Sequence, residues 1–562
     1  KQLSSSQDPL EISLVPKSEF EGLLEEISSS TAPCIVDKLL AQEIESEQDH
    51  SDEIKIFNVS KNFKITIQSI QRLILQPELM TEDSYLFLCI EVFHAGHKMG
   101  SGFTLSKPAS SKPNWTNEVV IFDEFKYSNI PLGSRILFTL YHRKCDISSG
   151  WVKGICKNDE PIAWVASQLF DHNYRLRDGE YNYRMWIDSK PSPIGTCYQN
   201  LLQRNTPILF VKYEGKGEND KNIYYPINSS SSSSRRSVCT NESTIKELNR
   251  IVSADPLTPL EENDKALLWG NRHHLCSNPS ALPKFLLSLH WDDQNQVQEA
   301  HRMLKLWTKP APLQALELLD AKFADPIVRD YGVSCLDYMG DGECYDLLLQ
   351  LTQVLKHEPY HNSALARFLL RRAWSNPKIG HSFFWYLKAE MHLEDVAERY
   401  TILLDTYLRG CGPQLKELLK QNKVTLQLVR VAEKVKTTSS ADRKKVLHEG
   451  LKKLDLPSSF QLPLDQRVEV NNLRVEKCKY MDSKKLPLWL VWDNVEQGSN
   501  PVSVIFKVGD DLRQDVLTLQ VIKIFDKLWK KEGLDLLLKP YGCIATGDEI
   551  GMIEVVKNAD TT

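Results

Sequence analysis

The sequence predicts a multidomain chain in which three folds follow one another: an antiparallel β-sandwich, an α-solenoid and an α+β lobe. Three observations predict this order. Between residues 54 and 214 apolar residues recur at every second position. From 246 to 423 they recur at helical spacing behind capping residues and prolines. After 470 strong apolar strands return, one of which turns sharply at Gly509 into an amphipathic helix. A chain of 562 residues is too long for one core, and roughly three or four domains is the ordinary count at that length.

The composition, 41% hydrophobic and 25% charged, is that of an ordinary soluble protein. A net charge of -5 over this length gives no reason to expect nucleic acid, so any anionic partner must meet a local basic patch. No apolar run reaches the roughly eighteen residues of a membrane span, and no signal-peptide pattern opens the chain, which points to the cytoplasm. The 12 cysteines stand singly, without a Cys-x-x-Cys pair or a Cys/His cluster at zinc spacing, so neither a disulfide framework nor a structural metal is expected. Asn114-Trp115-Thr116 and Asn241-Glu242-Ser243 fit the glycosylation pattern, which has meaning only in the secretory pathway.

Residues 1–53 combine serine clusters with the acidic run Glu43 to Asp49 and read as a linker with transient helix. Over 54–214, Phe63, Ile65 and Ile67 alternate with polar residues. Tyr85–Val92, Val119–Phe122, Ile136–Tyr141 and Ile208–Val211 follow, separated by turn residues, as sandwich strands. Asp83, Asp123 and Asp146 are calcium candidates by residue type alone. Their spacing is no calcium signature, and a structural or docking role is the preferred reading.

Residues 215–245 read as a disordered serine-rich linker, Ser229 to Ser234 preceding Arg235-Arg236-Ser237. A basophilic kinase site at Ser237 competes there with the simpler reading of a flexible tract. Thr258 and Glu261 form a capping-box pattern with Pro259 at the first helical position, so the helical array is expected to start there. Asp325-Pro326 opens a further helix carrying Val328, Tyr331, Cys335, Leu336 and Met339. Leu347–Leu355, Leu365–Leu369 and Ile379–Met391 continue the helical spacing through the 246–423 solenoid. His273, His274 and His381 have no carboxylate or cysteine at ligand spacing and are read as packing or surface residues. Residues 424–469 are connecting helices, basic at Arg443, Lys444, Lys445, Lys452 and Lys453. A solvated linker helix is preferred there over a membrane-facing patch.

The last region, 470–562, opens with a hairpin whose polar, basic tip is Met481-Asp482-Ser483-Lys484-Lys485 and whose return strand is Pro487–Trp492. Val504 to Val508 then form a buried strand, which places Lys507 beside a turn of free backbone amides. A lysine at a strand end is most simply a snorkelling surface residue. The helix from Leu512 to about Trp529 is apolar on two faces and is expected to be buried on both sides.

The string Phe506 to Asp515, the Tyr541-Gly542-Cys543 segment and Ile553-Glu554-Val555-Val556 stand in the order and spacing of the small lobe of phosphoinositide 3-kinases, which this region resembles. Glu358-Pro359-Tyr360, Leu369-Leu370-Arg371-Arg372 and Ile379–Trp385 resemble the helical domain of that family, and the sandwich resembles its C2 domain. The resemblance implies a C2 domain at 54–214, a helical domain at 246–423 and a truncated ATP-binding kinase small lobe at 470–562. It implies a lipid kinase that moves the γ-phosphate of ATP, with magnesium, to the 3-hydroxyl of a membrane phosphoinositide. The ATP-binding residues it implies are Ser483, Lys485, Ile505, Lys507, Asp510, Asp515, Tyr541, Ile553, Glu554, Val555 and Val556. Ser483 and Lys485 would lie over the phosphates, with Lys507 on the phosphate chain. Asp510, Asp515 and Tyr541 would line the inner pocket, and Glu554 and Val556 would meet adenine through their main chain.

A regulatory subunit, a small GTPase and peripheral recruitment to membranes are implied for the full-length protein. The chain opens on Lys1 and stops six residues after Val556, so a fragment is expected. Its catalytic loop and Asp-Phe-Gly magnesium site are expected beyond residue 562, which leaves the fragment inactive on its own. Pro540–Cys543 and Thr546–Asp548 resemble class I, with Lys477 to Trp489 leaning to its gamma type, whereas Val431–Val435 resembles class II. Two alternatives stand beside this reading. One is a pseudokinase or scaffold that uses the sandwich and solenoid to hold partners. The other is a phosphatidylinositol 4-kinase or related kinase.

Overall fold

The structure, a computed structural model, describes residues 53–144, 154–187, 189–195, 199–200, 203, 205–227 and 241–556. The described residues fall into two compact units. One is drawn from Glu45–Met339 and Lys356–Leu365, the other from Gly340–Leu355 and Ala366–Thr562.

In the first unit the period-two segments form two antiparallel sheets. One has the strand order Asn114–Lys126, Asn62–Gln71, Ile208–Tyr213, Gly179–Arg184. The other runs His97–Phe103, Ser84–His94, Arg135–Lys144, Glu160–Gln168. Alternation aims Phe63, Ile65 and Ile67 of one sheet and Leu86, Leu88 and Ile90 of the other into one core. Phe63 and Phe122 meet edge to face at 5.0 Å inside it. The sheets approach closely at Gly102, where a Cβ would lie 2.6 Å from Val120 Cγ1, so only glycine fits.

The sandwich extends past its expected end. Asn222–Tyr224 pairs in parallel with Glu53–Lys55, and Tyr225 is buried, so the chain up to 227 is ordered rather than part of a disordered linker. The serine tract, Ser237, Asp146 and residues 1–52 lie outside the described residues. Asp83 Oδ1 accepts from Thr81 Oγ1 at 2.5 Å, and among the described residues no group of three or more His, Cys, Asp or Glu is placed to hold a metal ion.

The helical array begins earlier than the Thr258 signal, at Glu242–Ser253. Its cap is Asn241, whose Oδ1 accepts from the Thr244 amide at 2.9 Å. The next helix, Glu262–Gly270, is capped by Glu261 with Asp264, not by Thr258, whose amide closes a turn on the Asp255 carbonyl. Asp325 does cap the Pro326–Leu336 helix, accepting from the Ile327 and Val328 amides.

The helices of the array are shared between the two units. Helices up to Leu336 pack in the unit of the sandwich, where Asn129 reaches the Asp292 carbonyl. Those from Asp341 pack in the unit of the C-terminal sheet, where Gln520 bonds Gln350 and Asp346. Among the described residues no helix is long and apolar enough to cross a membrane.

The C-terminal sheet starts at Phe460–Leu462 and Asp465–Leu473, ahead of the expected boundary at 470. It continues through Leu488–Asn494, Val502–Val508, Ile550–Glu554 and Cys543–Gly547, with Lys479–Tyr480 pairing beside Leu488–Asn494. The expected connecting region is therefore only partly helical, because Phe460–Leu462 and the start of Asp465–Leu473 are strands of this sheet.

The helix Arg513–Lys531 is buried on one side only. Val516 and Leu519 are covered, but Leu517, Val521, Phe525 and Leu528 are exposed, the last by 53%. Two apolar stripes require two packed neighbours, and the described residues supply one.

Candidate nucleotide site

Strand register sorts the C-terminal sheet into two faces. Leu488, Phe506 and Met552 are mutual partners, and with Leu490 and Val504 they are buried. On the other face Trp489 pairs with Ile505, Ile505 with Ile553 and Lys507 with Gly551, and Trp489, Ile505, Lys507 and Ile553 are only half-buried. A flat, half-open apolar surface thus ends in a lysine. Glu554 pairs with Val504, three residues from Lys507, so its side chain belongs to the opposite face and its main chain lies roughly 10 Å along the strand from the lysine at the usual strand rise.

At the lysine end, Lys507 Nζ donates to Asp510 Oδ2 at 2.8 Å, with the lysine side chain 25% exposed. The pair is possible because Gly509, at φ +82°, folds the chain back on itself. The backbone amides there are not free. Gly509 and Asp510 both donate to the Glu549 carbonyl, at 2.7 and 3.1 Å, so the turn is held by the neighbouring hairpin. Positive charge at this end is therefore carried by side chains. Lys485 reaches in from the hairpin tip, its Nζ 3.6 Å from where a Gly509 Cβ would lie.

Asp515 lies in the first turn of the Arg513–Lys531 helix. With burial as the larger cause, its charge helps push the Cys543 thiol up to about 12, while Lys507 and Lys523 oppose the shift. Asp515 and Lys507 thus act on the same point of the sheet.

At the far end, Gly542 and Glu554 are doubly tied. The Glu554 amide donates to the Gly542 carbonyl at 2.8 Å, and the Gly542 amide donates to Glu554 Oε2 at 2.7 Å. This tie fixes half-buried Tyr541 beside Glu554. Val555 donates to the Ser503 carbonyl at 3.4 Å, and Val556 follows, 43% exposed. Ser483 is the outlier of the predicted set. It sits exposed in the tip, its amide on the Met481 carbonyl and its own carbonyl taking the Leu486 amide.

Lys436 was not foreseen. It lies in the last turn of the Gln414–Thr437 helix and donates to the Val508 carbonyl. No local pattern marks it, since it is 72 residues from its acceptor. A cleft of about 480 Å³ beside Glu554 is lined by two ion pairs, Lys527 with Asp346 and Arg467 with Asp465.

Three family models match the chain in succession. They are the phosphoinositide 3-kinase C2 at 82–210, the accessory (PIK) domain of the phosphoinositide 3-kinase family at 236–420, and phosphatidylinositol 3- and 4-kinase at 501–562. Phosphatidylinositol 3-kinase 2 of Dictyostelium discoideum is 44% identical over 491 residues, 80% of this chain. Phosphatidylinositol 3-kinase 1 of the same organism is 39% identical over 536 residues, 92% of this chain, and phosphatidylinositol 3-kinase 3 is 36% identical over 477 residues. The chain belongs to the phosphoinositide 3-kinase family.

It spans 26%, 34% and 27% of the length of those three relatives. The phosphatidylinositol 3- and 4-kinase match begins one residue before the Val502–Val508 strand, so the lysine strand, the Gly509 turn and the Glu554 end all fall inside it. The C2 match takes in the sandwich from the Ser84–His94 strand into Ile208–Tyr213, and the accessory match takes in the helices to either side of residue 340.

Proposed function

We propose that this chain carries the ATP-gripping half of a lipid kinase. The whole enzyme transfers the γ-phosphate of ATP to the 3-hydroxyl of phosphatidylinositol or its phosphates. The observation that carries this reading is the single half-open sheet face on which Ile505 and Ile553 lead to Lys507, with Asp510, Asp515 and Lys485 gathered at the same end. The apolar part suits a flat purine, and the ammoniums suit phosphate oxygens.

ATP supplies the phosphoryl group and magnesium its counter-charge when bound. This chain's part is to position the nucleotide and neutralise its phosphates. A regulatory subunit, a small GTPase and peripheral recruitment from the cytoplasm to a phosphoinositide membrane extend the same reading.

The test is phosphate transfer from labelled ATP by the full-length protein to phosphatidylinositol vesicles, with the position of the new phosphate determined. Label at the 3-position is expected. Label at the 4-position would make the protein a 4-kinase, and no transfer with intact partner binding would make it a scaffold.

A further inference from the structure

The turn that carries Lys507 has its backbone groups occupied from both sides. Glu549 takes the amides of Gly509 and Asp510, and Lys436 takes the carbonyl of Val508. Lys507 itself is paired with Asp510. Two other ammoniums crowd the same turn. Lys436 Nζ lies 2.9 Å and Lys485 Nζ 3.6 Å from the point a Gly509 Cβ would occupy, so the two nitrogens are separated by no more than those lengths end to end. Neither lysine forms an ion pair among the described residues.

Lys436 has given one N–H to Val508 and keeps two more. Burial first, and then the Lys485 charge, hold its pKa below the ordinary lysine value, with Glu433 and Glu549 opposing. Two like charges gathered at one turn are costly until an anion joins them.

We propose that Lys436, on the helix ahead of the kinase lobe, is a further phosphate-binding residue. With Lys485 it flanks Gly509 and donates to the polyphosphate of ATP next to Lys507. The proposal rests on the ATP reading above. An inositol phosphate headgroup offers the same anionic chemistry, and the test separates the two sources.

The experiment measures the affinity of the full-length protein for ATP, adenosine and inositol 1,4,5-trisphosphate, together with the unfolding midpoint of each variant. Lys436→Met is expected to weaken ATP about tenfold, the value of one charge-assisted contact, while adenosine stays within about twofold. Lys436→Gln keeps an N–H for the Val508 carbonyl and drops the charge, and it should lose ATP affinity equally. Lys434→Met, exposed on the same helix turn, should behave as the parent.

Three results overturn the proposal: Lys436→Gln binding ATP as the parent does, ATP and adenosine weakening together, or inositol trisphosphate weakening while ATP does not. Lys507→Met keeps the two readings apart. If it loses ATP while the Lys436 variants do not, only the Lys436 proposal fails. If it binds ATP normally, the ATP reading fails and takes this proposal with it.

Discussion

Replacing Lys507 by methionine separates a structural lysine from one that grips phosphate. The substitution keeps the apolar stem on the sheet face and removes the charge. Its partner Asp510 is 42% exposed, so water resolvates the carboxylate that is left behind. The cost to folding is therefore that of a half-solvated ion pair, about 0–1 kcal/mol. Against phosphates in a water-excluded site the same charge counts for much more. Its loss should remove about 3–4 kcal/mol of transition-state stabilisation, roughly a hundred- to a thousandfold in rate.

The assay is turnover on phosphatidylinositol vesicles by the full-length protein, read beside the unfolding midpoint of the same variant. Lys507→Arg is no substitute, because a planar fork does not replace a compact ammonium. Lys484→Met, exposed at the hairpin tip, serves as the comparison and should cost much less. A Lys507→Met protein that folds and turns over within a fewfold of the parent would return this lysine to a snorkelling surface residue. A fall in midpoint large enough to explain the rate loss would defeat the argument equally.

The other predictions concern stability. Arg329, 2% exposed, donates to Glu358 at 2.6 and 2.9 Å and to the Asp320 and Phe323 carbonyls. Arg329→Met should therefore destabilise the sandwich-containing unit by about 3–5 kcal/mol in denaturant titration, with Glu358→Gln recovering part of the loss. His381 is buried with Nε2 2.9 Å from Gln421 Oε1, an oxygen that also accepts from Trp385, and burial pushes its pKa from 6.5 down to about 4. The unfolded chain takes up this proton first. Stability should thus be complete above pH 6.5 and fall by about 3 kcal/mol as pH drops to 4, a slope that His381→Asn should flatten. Phe525→Ser, at an exposed position, should change the midpoint of this chain by about 0.5 kcal/mol or less, whereas Leu519→Ala should cost about 2–5 kcal/mol. Millimolar calcium should leave the unfolding midpoint unmoved, and a rise that scales with concentration would show a site.

Much of this architecture is legible in local pattern. Phe63, Ile65 and Ile67 announce a half-buried strand because side chains alternate across a sheet, and Asp325-Pro326 announces a helix start because both residue types suit its unpaired amides. Thr258 shows the limit of such reading. It has the chemistry of a cap, but the chain spends its amide in a turn, and Glu261 caps the helix instead. The helix after Gly509 shows another: its two apolar stripes are visible in the sequence, but which of them finds a neighbour depends on segments far along the chain.

The candidate site divides the same way. The sequence by itself determined the succession of strand, turn and helix around Lys507, because periodicity and a glycine at positive φ are local properties. Only the tertiary structure decided that Glu549 occupies the turn amides, that Asp510 faces Lys507, and that a lysine 72 residues upstream closes on Val508. Hydrogen bonds and charge proximity join groups across space. A chain read residue by residue shows which groups are available for those bonds, and the packed fold selects the pairs that form.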